Sequence, residues 1–187
     1  NTYGGWVKLK SKSLGSHQLN GMLEYYNNFR RAEMTMYPVN DLPMFMLTWP
    51  DVSRNTYGIG VSDHWSTSDR SALDLSIRFD LNQTKLKTEE AKEYFKIFGK
   101  DTDAPFYHWI SNVKANYVYF LRPEWNLLFN TAYAERVPDA SEQFGFYLYN
   151  AHDNHDYIGD PDILKESSLQ FEMGIQFKKK RSEISIN

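Results

Sequence analysis

Four methionines stand in two Met-x-Met pairs, Met34 with Met36 in "EMTM" and Met44 with Met46 in "MFM". Thioethers are soft ligands and suit Cu(I). The same residues also suit packing, either inside a loop or alternating out of a strand extension, because methionine is a flexible gap-filler. A second group lies in "HDNHD", where His152, Asp153, His155 and Asp156 fall together. Imidazoles three residues apart, with carboxylates beside them, can hold a metal or a metal chelate from a turn. A polar surface loop accounts for these four residues equally well. The chain has no cysteine, so thiolate ligands, thiol nucleophiles and a disulfide framework are all excluded. There is no GxSxG elbow, HExxH helix or phosphate loop. Carboxylate pairs such as Glu89 and Glu90 read as loop charges, with no cleft to make them a glycosidase pair. The sequence reads as that of a non-enzyme, with no resident cofactor.

The elements that position these groups are strands. Leu73, Leu75, Ile77, Phe79 and Leu81 form one face of a period-two segment, and Asp74, Ser76, Arg78 and Asp80 form the other. Trp125 to Tyr133 and Leu169 to Phe177 repeat the alternation, and shorter versions surround Val7, Leu23, Ile59, Tyr117 and Ile184. The pattern predicts an all-β, antiparallel, up-and-down sheet of roughly eight strands. Short turns are expected near residues 11–16, 66–70, 122–124 and 179–182, and long connections near 30–54, 82–110 and 136–165. "TEEAKEYFKIFGK" predicts a short helix on the middle connection, with Thr88 as N-cap, Gly99 as the stop and Tyr94, Phe95 and Phe98 as its apolar side.

Short turns on one side and long loops on the other fit a transmembrane β-barrel segment. With the long loops outside, Trp65 and Trp125 fall at the inner ends of their strands, and Tyr25, Tyr57 and Tyr133 at the outer ends, as two aromatic girdles. The opposite face carries Lys8, Lys10, Glu24, Asp74, Arg78, Asp80, Lys114 and Glu172. Those charges suit a wet lumen and not a dry core. The alternative is a soluble or surface β-sheet module with one wet face, binding carbohydrate or a hydrophobic ligand. A net charge of -3 gives no case for a nucleic-acid partner. No apolar run approaches the roughly 20 residues of a spanning helix.

"TAYAERVPDASEQF" and "YIGDPDILKESSLQFEMGIQF" fit neither a helix nor a strand period between Arg136 and Lys165. Together they resemble the C-terminal half of the barrel of TonB-dependent outer-membrane receptors. The first part of the resemblance is carried by Arg136, Pro138, Glu142 and Phe144, and the second by Tyr157, Gly159, Pro161, Leu164 and Glu166. Asp160 stands where asparagine is usual, and one extra residue separates Pro161 from Leu164. "PDVSRNTYGIGVSDHW" with "SALDLSIRFD" adds a down-strand, turn and up-strand, so the likeness runs from about Pro50 to Ser185.

The resemblance implies a place in the bacterial outer membrane, in contact with lipid. It implies that residues 1–187 are part of a larger barrel whose plug domain lies elsewhere. The receptor would import a scarce nutrient, most simply a ferric siderophore or other metal complex, driven by the TonB energy-coupling complex acting on the plug. A copper importer is the branch that the methionines favour. Pro138 and Pro161 are expected to end strand pairing, Gly159 to permit a tight turn, and Arg136 with Glu142 to anchor the loop as an ion pair.

Overall fold

The computed structural model describes residues 1–146, 148–150, 152–179 and 182–186. Eight strands form one antiparallel sheet: β1 (Thr2–Lys10), β2 (His17–Met36), β3 (Met44–Ser68), β4 (Ser71–Leu86), β5 (Phe106–Arg122), β6 (Trp125–Arg136), β9 (Glu166–Lys179) and β10 (Ser182–Ile186). Their spatial order is β1-β2-β3-β4-β5-β6-β9-β10, so each strand pairs with its sequence neighbour in the sheet. A separate hairpin, β7 (Leu148–Asn150) with β8 (His155–Tyr157), sits in the connection after β6. This is the up-and-down antiparallel sheet that the alternation predicts, and it is open rather than closed on itself. The expected turn at 179–182 includes positions outside the described residues. No helix among the described residues is long and apolar enough to cross a membrane.

One strand shows how alternation builds both faces. In β4 the odd positions Leu75, Ile77 and Phe79 are more than 40% exposed. The even positions Asp80, Asn82, Thr84 and Leu86 close progressively, to complete burial at Thr84 and Leu86. The exposed odd face is apolar across the whole sheet, with Leu23, Ile59, Val61, Leu169, Phe171 and Met173 all open. An apolar area of that extent has no stable home in water. Lipid can cover such a face because the inner strands satisfy each other's backbone groups.

The aromatic rows sit where the sequence predicts. Tyr25 pairs with Tyr57 in register, with ring centroids 5.1 Å apart. Trp65 stacks on His17 at 5.3 Å, and Trp125 packs on Phe177 at 4.8 Å. Eight residues separate Tyr57 from Trp65, about 26 Å along a strand. At a tilt of about 40° that is about 20 Å along the membrane normal, close to the apolar band of such barrels.

On the even face, Arg78 reaches Glu24 at 2.8 Å and Asp80 at 2.5 Å, joining β2 to β4 across β3. Gly58 lies between them on β3, and a Cβ there would meet the Arg78 Nη2 at 2.5 Å and also the Asp80 carboxylate. The glycine makes the room that the charge cluster needs.

Three sequence expectations need correction. The connection at 30–54 is mostly strand. Strands β2 and β3 stay paired to Met36 and Met44, through irregularities at Arg30/Ala32 and Ala32/Glu33, and only residues 37–43 form the loop. The segment after Pro138 is not featureless, because Ala140–Phe144 forms helix α2. The first helix, α1 (Glu89–Ile97), has the predicted ends, with Thr88 at the N-cap and Gly99 at φ 73°. Its packed side, however, is Ala91 with Phe95, one turn apart, while Tyr94 and Phe98 are both 56% exposed. The Thr88 hydroxyl is drawn away from capping and accepts the Asp51 N–H at 3.0 Å.

Candidate functional site

The loops do not stand free above the sheet. Leu86, the last residue of β4, and Val52, its register partner on β3, pack with Ala91, Phe95, Ala140, Phe144 and Phe146. Phe95 meets Phe144 edge-on at 5.9 Å and Phe146 at 4.9 Å, and Phe106 meets Phe144 at 5.6 Å. This dry cluster caps the loop end of the polar face. It fixes the floor on which the connections after β4 and β6 rest.

The residues from Arg136 to Glu166 converge on α2. Asp139 caps the helix through the N–H groups of Ser141 and Glu142, and Glu142 returns a carboxylate to the Asp139 N–H at 2.6 Å. This reciprocal box satisfies orphan donors at both positions. Arg136 Nη1 and Nη2 donate to the two oxygens of Glu142 at 2.9 and 2.8 Å. Arg136 also donates from Nε to Glu166 at 3.0 Å, and those two residues face each other in the β6–β9 register. A planar guanidinium with two carboxylates is a geometry lysine does not reproduce. The Arg136 guanidinium holds the Glu142 carboxyl below its ordinary range, and Glu142 and Glu166 in turn push Arg136 up.

The prolines and the glycine serve the same joint. The Pro138 carbonyl accepts from Arg54 at 2.6 Å, and Pro161 is fully buried. Gly159 does not form a tight turn of unusual backbone, since its φ is not among the positive values. Its role is close approach. A Cβ at Gly159 would meet Phe144 N at 2.6 Å, Gln143 C at 2.7 Å and Gly145 N at 2.8 Å, all backbone atoms. The Gly159 and Asp160 N–H groups donate to the Gly145 and Glu142 carbonyls at 2.7 and 2.9 Å. Asp160, which replaces the usual asparagine, pairs with Lys100 at 2.8 Å, and Asp162 joins at 2.9 Å. Lys100 thereby ties the middle connection to this one and keeps the Asp160 carboxyl low.

The methionines meet on the extended β2–β3 hairpin. Met34 pairs in register with Met46, and Met36 with Met44. Directly paired residues share a face, as do residues two apart along a strand. By backbone register, all four positions therefore belong to one face of a two-stranded ribbon. Met34, Met36 and Met44 are 38%, 40% and 47% exposed, so they fill no core. The Met46 side chain lies outside the described residues. Flexible thioethers on such a face are of the ligand type that suits a soft cation.

His152 and His155 fall at the β7–β8 hairpin, with His155 exposed on β8 and its Nδ1 at 2.7 Å from the Asp153 carbonyl. Among the described residues, no group of three or more His, Asp or Glu side chains is placed to hold a metal. Sequence reasoning missed Arg54 and Gln143 as a pair. Arg54 on β3 donates to Gln143 on α2 at 2.9 Å across 89 residues, and no local pattern encodes that contact. It also missed α2, although Asp139 three residues before Glu142 is a capping signature.

Comparison with known proteins agrees with this architecture. The family model described as "TonB dependent receptor-like, beta-barrel" matches residues 1–187. A search of curated proteins returns no match. Among solved structures, a chain described as "Copper transporter OprC" superposes with a TM-score of 0.70 at 18% identity, over 95% of this chain and 27% of that one. At that identity the likeness speaks for the fold alone. The present chain spans about a quarter of the length of that transporter. The soluble-module alternative is overturned by the family match and by the open apolar face. The chain belongs to the TonB-dependent receptors, β-barrel proteins of the Gram-negative outer membrane.

Proposed function

We propose that this chain is a sector of the barrel of a receptor that imports copper, as Cu(I), across the outer membrane, energised by TonB. The observation that carries the copper reading is the register Met34–Met46 and Met36–Met44, which gathers four thioether-bearing positions on one exposed ribbon face. Thioethers bind Cu(I) and have little affinity for hard ferric iron. A chain described as a copper transporter shares this fold, so the fold accommodates such a cargo. Among the described residues of these loops, no comparable feature favours a ferric siderophore receptor, the simplest reading of family and sequence.

In this account the ribbon face takes the ion from outside. The loop cluster around Phe95 and Phe144 holds the surface rigid, and a plug in the lumen passes the ion inward when TonB pulls it. The lumen-facing charges of Glu24, Arg78 and Asp80 form part of the wall against which that plug moves. The test is cellular uptake by the full-length receptor in a Gram-negative host lacking its own copper importers. Copper accumulation should rise with the receptor and collapse with a protonophore, while ferric siderophore uptake stays at background. Uptake of ferric siderophore without copper would overturn the cargo assignment. Copper uptake insensitive to the protonophore would overturn the energised mechanism.

A further inference from the structure

On the outward face, just above the apolar band, side chains of four strands are joined in one row. Register sets Asn27 on β2, Asn55 on β3, Gln83 on β4 and Tyr107 on β5 side by side. Asn27 Nδ2 donates to Asn55 Oδ1 at 2.8 Å, Asn55 Nδ2 to Gln83 Oε1 at 3.1 Å, and Gln83 Nε2 to the Tyr107 hydroxyl at 2.8 Å. Every bond runs in the same direction, so the row is polarised toward Tyr107. The Tyr107 hydroxyl accepts from Gln83 and keeps its own proton to donate.

Two further rows flank this one. One step toward the membrane centre stand Tyr25, Tyr57 and Trp109, in register with one another through Leu81. One step the other way, Lys85 faces Ser53. Lys87 lies beyond it, with Nζ 5.7 Å from the ring centroid of Phe29. Successive rows are about 7 Å apart along a strand, or about 5 Å along the membrane normal at a tilt of about 40°. The amide row thus stands about 5 Å above the aromatic boundary, and the Lys85 position about 10 Å above it.

Charge and height together select the lipid. The carboxylates of the adjoining β2–β3 segment, Glu33 and Asp51, both face Arg31, with Asp51 Oδ1 3.6 Å from Arg31 Nε. Lys165 and Glu135 neutralise each other at 2.8 Å. Among the described residues, neither Lys85 nor Lys87 forms an ion pair. The polar zone on each side of a bilayer is only about 5–8 Å deep, and a phosphodiester lipid carries its phosphate at the hydrocarbon boundary. Cations rooted about 10 Å up stand above that level and suit a phosphate carried on a bulkier head. Between them and the boundary, the amides hold unspent N–H donors and oxygen lone pairs for hydroxyl groups. Tyr107 and Trp109 are 57% and 65% exposed, and the register of β5 with β6 ends at Val113 and Tyr133, which leaves both rings open to the C–H face of a sugar.

We propose that this stripe of β2 to β5 is a binding site for a phosphorylated glycolipid of the outer leaflet. Its acyl chains lie against the apolar strands below, its sugar lies across the amide row, and its phosphate sits between Lys85 and Lys87. The site is on the lipid side of the wall, away from the lumen. It rests on the outer-membrane placement of the strands and does not depend on the copper reading.

The test is native mass spectrometry of the full-length receptor, delipidated in neutral detergent and then offered three probes. These are a bisphosphorylated, acylated glucosamine disaccharide, its dephosphorylated form, and phosphatidylglycerol. Lys85→Gln with Lys87→Gln is the variant, because both side chains are exposed, and Lys114→Gln on the lumen face is the control. A melting temperature equal to that of wild type checks the fold of each. The expected result is retention of the bisphosphorylated glycolipid that weakens at least about tenfold in K85Q/K87Q and is unchanged in K114Q. Wild type should hold the other two probes more weakly. Gln83→Leu, which breaks the amide row, should weaken both glycolipids and leave phosphatidylglycerol unchanged. Equal retention of phosphatidylglycerol and the bisphosphorylated glycolipid marks an unselective lipid annulus and overturns the proposal. Equal retention of that glycolipid by wild type and K85Q/K87Q, or retention of none of the probes, overturns it as well.

Discussion

Replacing Gly159 by Ala should loosen the outer loops without disturbing the wall. The added methyl would sit 2.6 to 2.8 Å from three backbone atoms of residues 143–145. Backbone cannot yield as a side chain can, so the 157–161 segment must back away from α2. Overpacking of this sort costs about 1–3 kcal/mol. The retreat also strains the Gly159–Gly145 and Asp160–Glu142 hydrogen bonds, each worth about 1 kcal/mol net. A combined cost of about 2–4 kcal/mol corresponds to a rise of about 30- to 1,000-fold in local opening. Hydrogen exchange of the full-length receptor in detergent reads this directly. Amides of residues 142–146 should exchange faster by that factor, while those of β4 and β5 stay protected. Gly21→Ala is the control, because nothing lies within 4 Å of a Cβ there, and it should change nothing. If G159A leaves exchange at 142–146 within about threefold of wild type, under about 0.7 kcal/mol, the close-approach argument fails.

Other perturbations separate the remaining contacts. Asp139→Ala removes the N-cap acceptor of α2 and should destabilise that helix by about 0.5–2 kcal/mol, visible as faster exchange at residues 141–144. Lowering the pH should loosen the same loop before the wall. Glu142 and Asp160 have folded pKa values depressed below their ordinary 4.5 and 3.8, so their contribution is full above those values and lost as pH falls through the lower folded ones. Loop protection should therefore hold at neutral pH and decline only at pH below these ordinary values. Gly58→Ala should force Arg78 and Asp80 apart and lower the melting temperature in detergent, at a cost of about 1–3 kcal/mol. Arg78→Leu should cost more, about 3–5 kcal/mol, because it strands Asp80, only 4% exposed, beside Glu24.

The wall was readable from the chain because alternation is a local signal. Leu73 to Leu81 declares its two faces without help from any other segment, and burial in β4 follows that division position by position. The loop end was less readable, for three physical reasons. Helix α2 is only five residues long, too short for a periodic apolar stripe, so its one signal was the Asp139–Glu142 box. Strands β2 and β3 run past the membrane through irregular pairing, which breaks the period that would have marked Ala32 to Met36 as strand. The Arg54–Gln143 and Lys100–Asp160 contacts join segments far apart in sequence, and only the closed loops bring them together. The methionine pairs were visible as residues, but whether Met34 faces Met46 depends on a seven-residue loop and two register shifts that composition does not reveal.

The most direct test of the copper account is a Cu(I) titration of the full-length receptor in detergent under anaerobic conditions, against a competing Cu(I) chelator. Wild type is compared with a variant carrying M34L, M36L, M44L and M46L, in which leucine keeps the volume and removes the sulfur. The account predicts Cu(I) binding by wild type that weakens at least about tenfold in the variant, with unchanged melting temperature. Equal Cu(I) affinity in the two proteins, or none in either, would contradict it and return the methionines to a packing role on the hairpin.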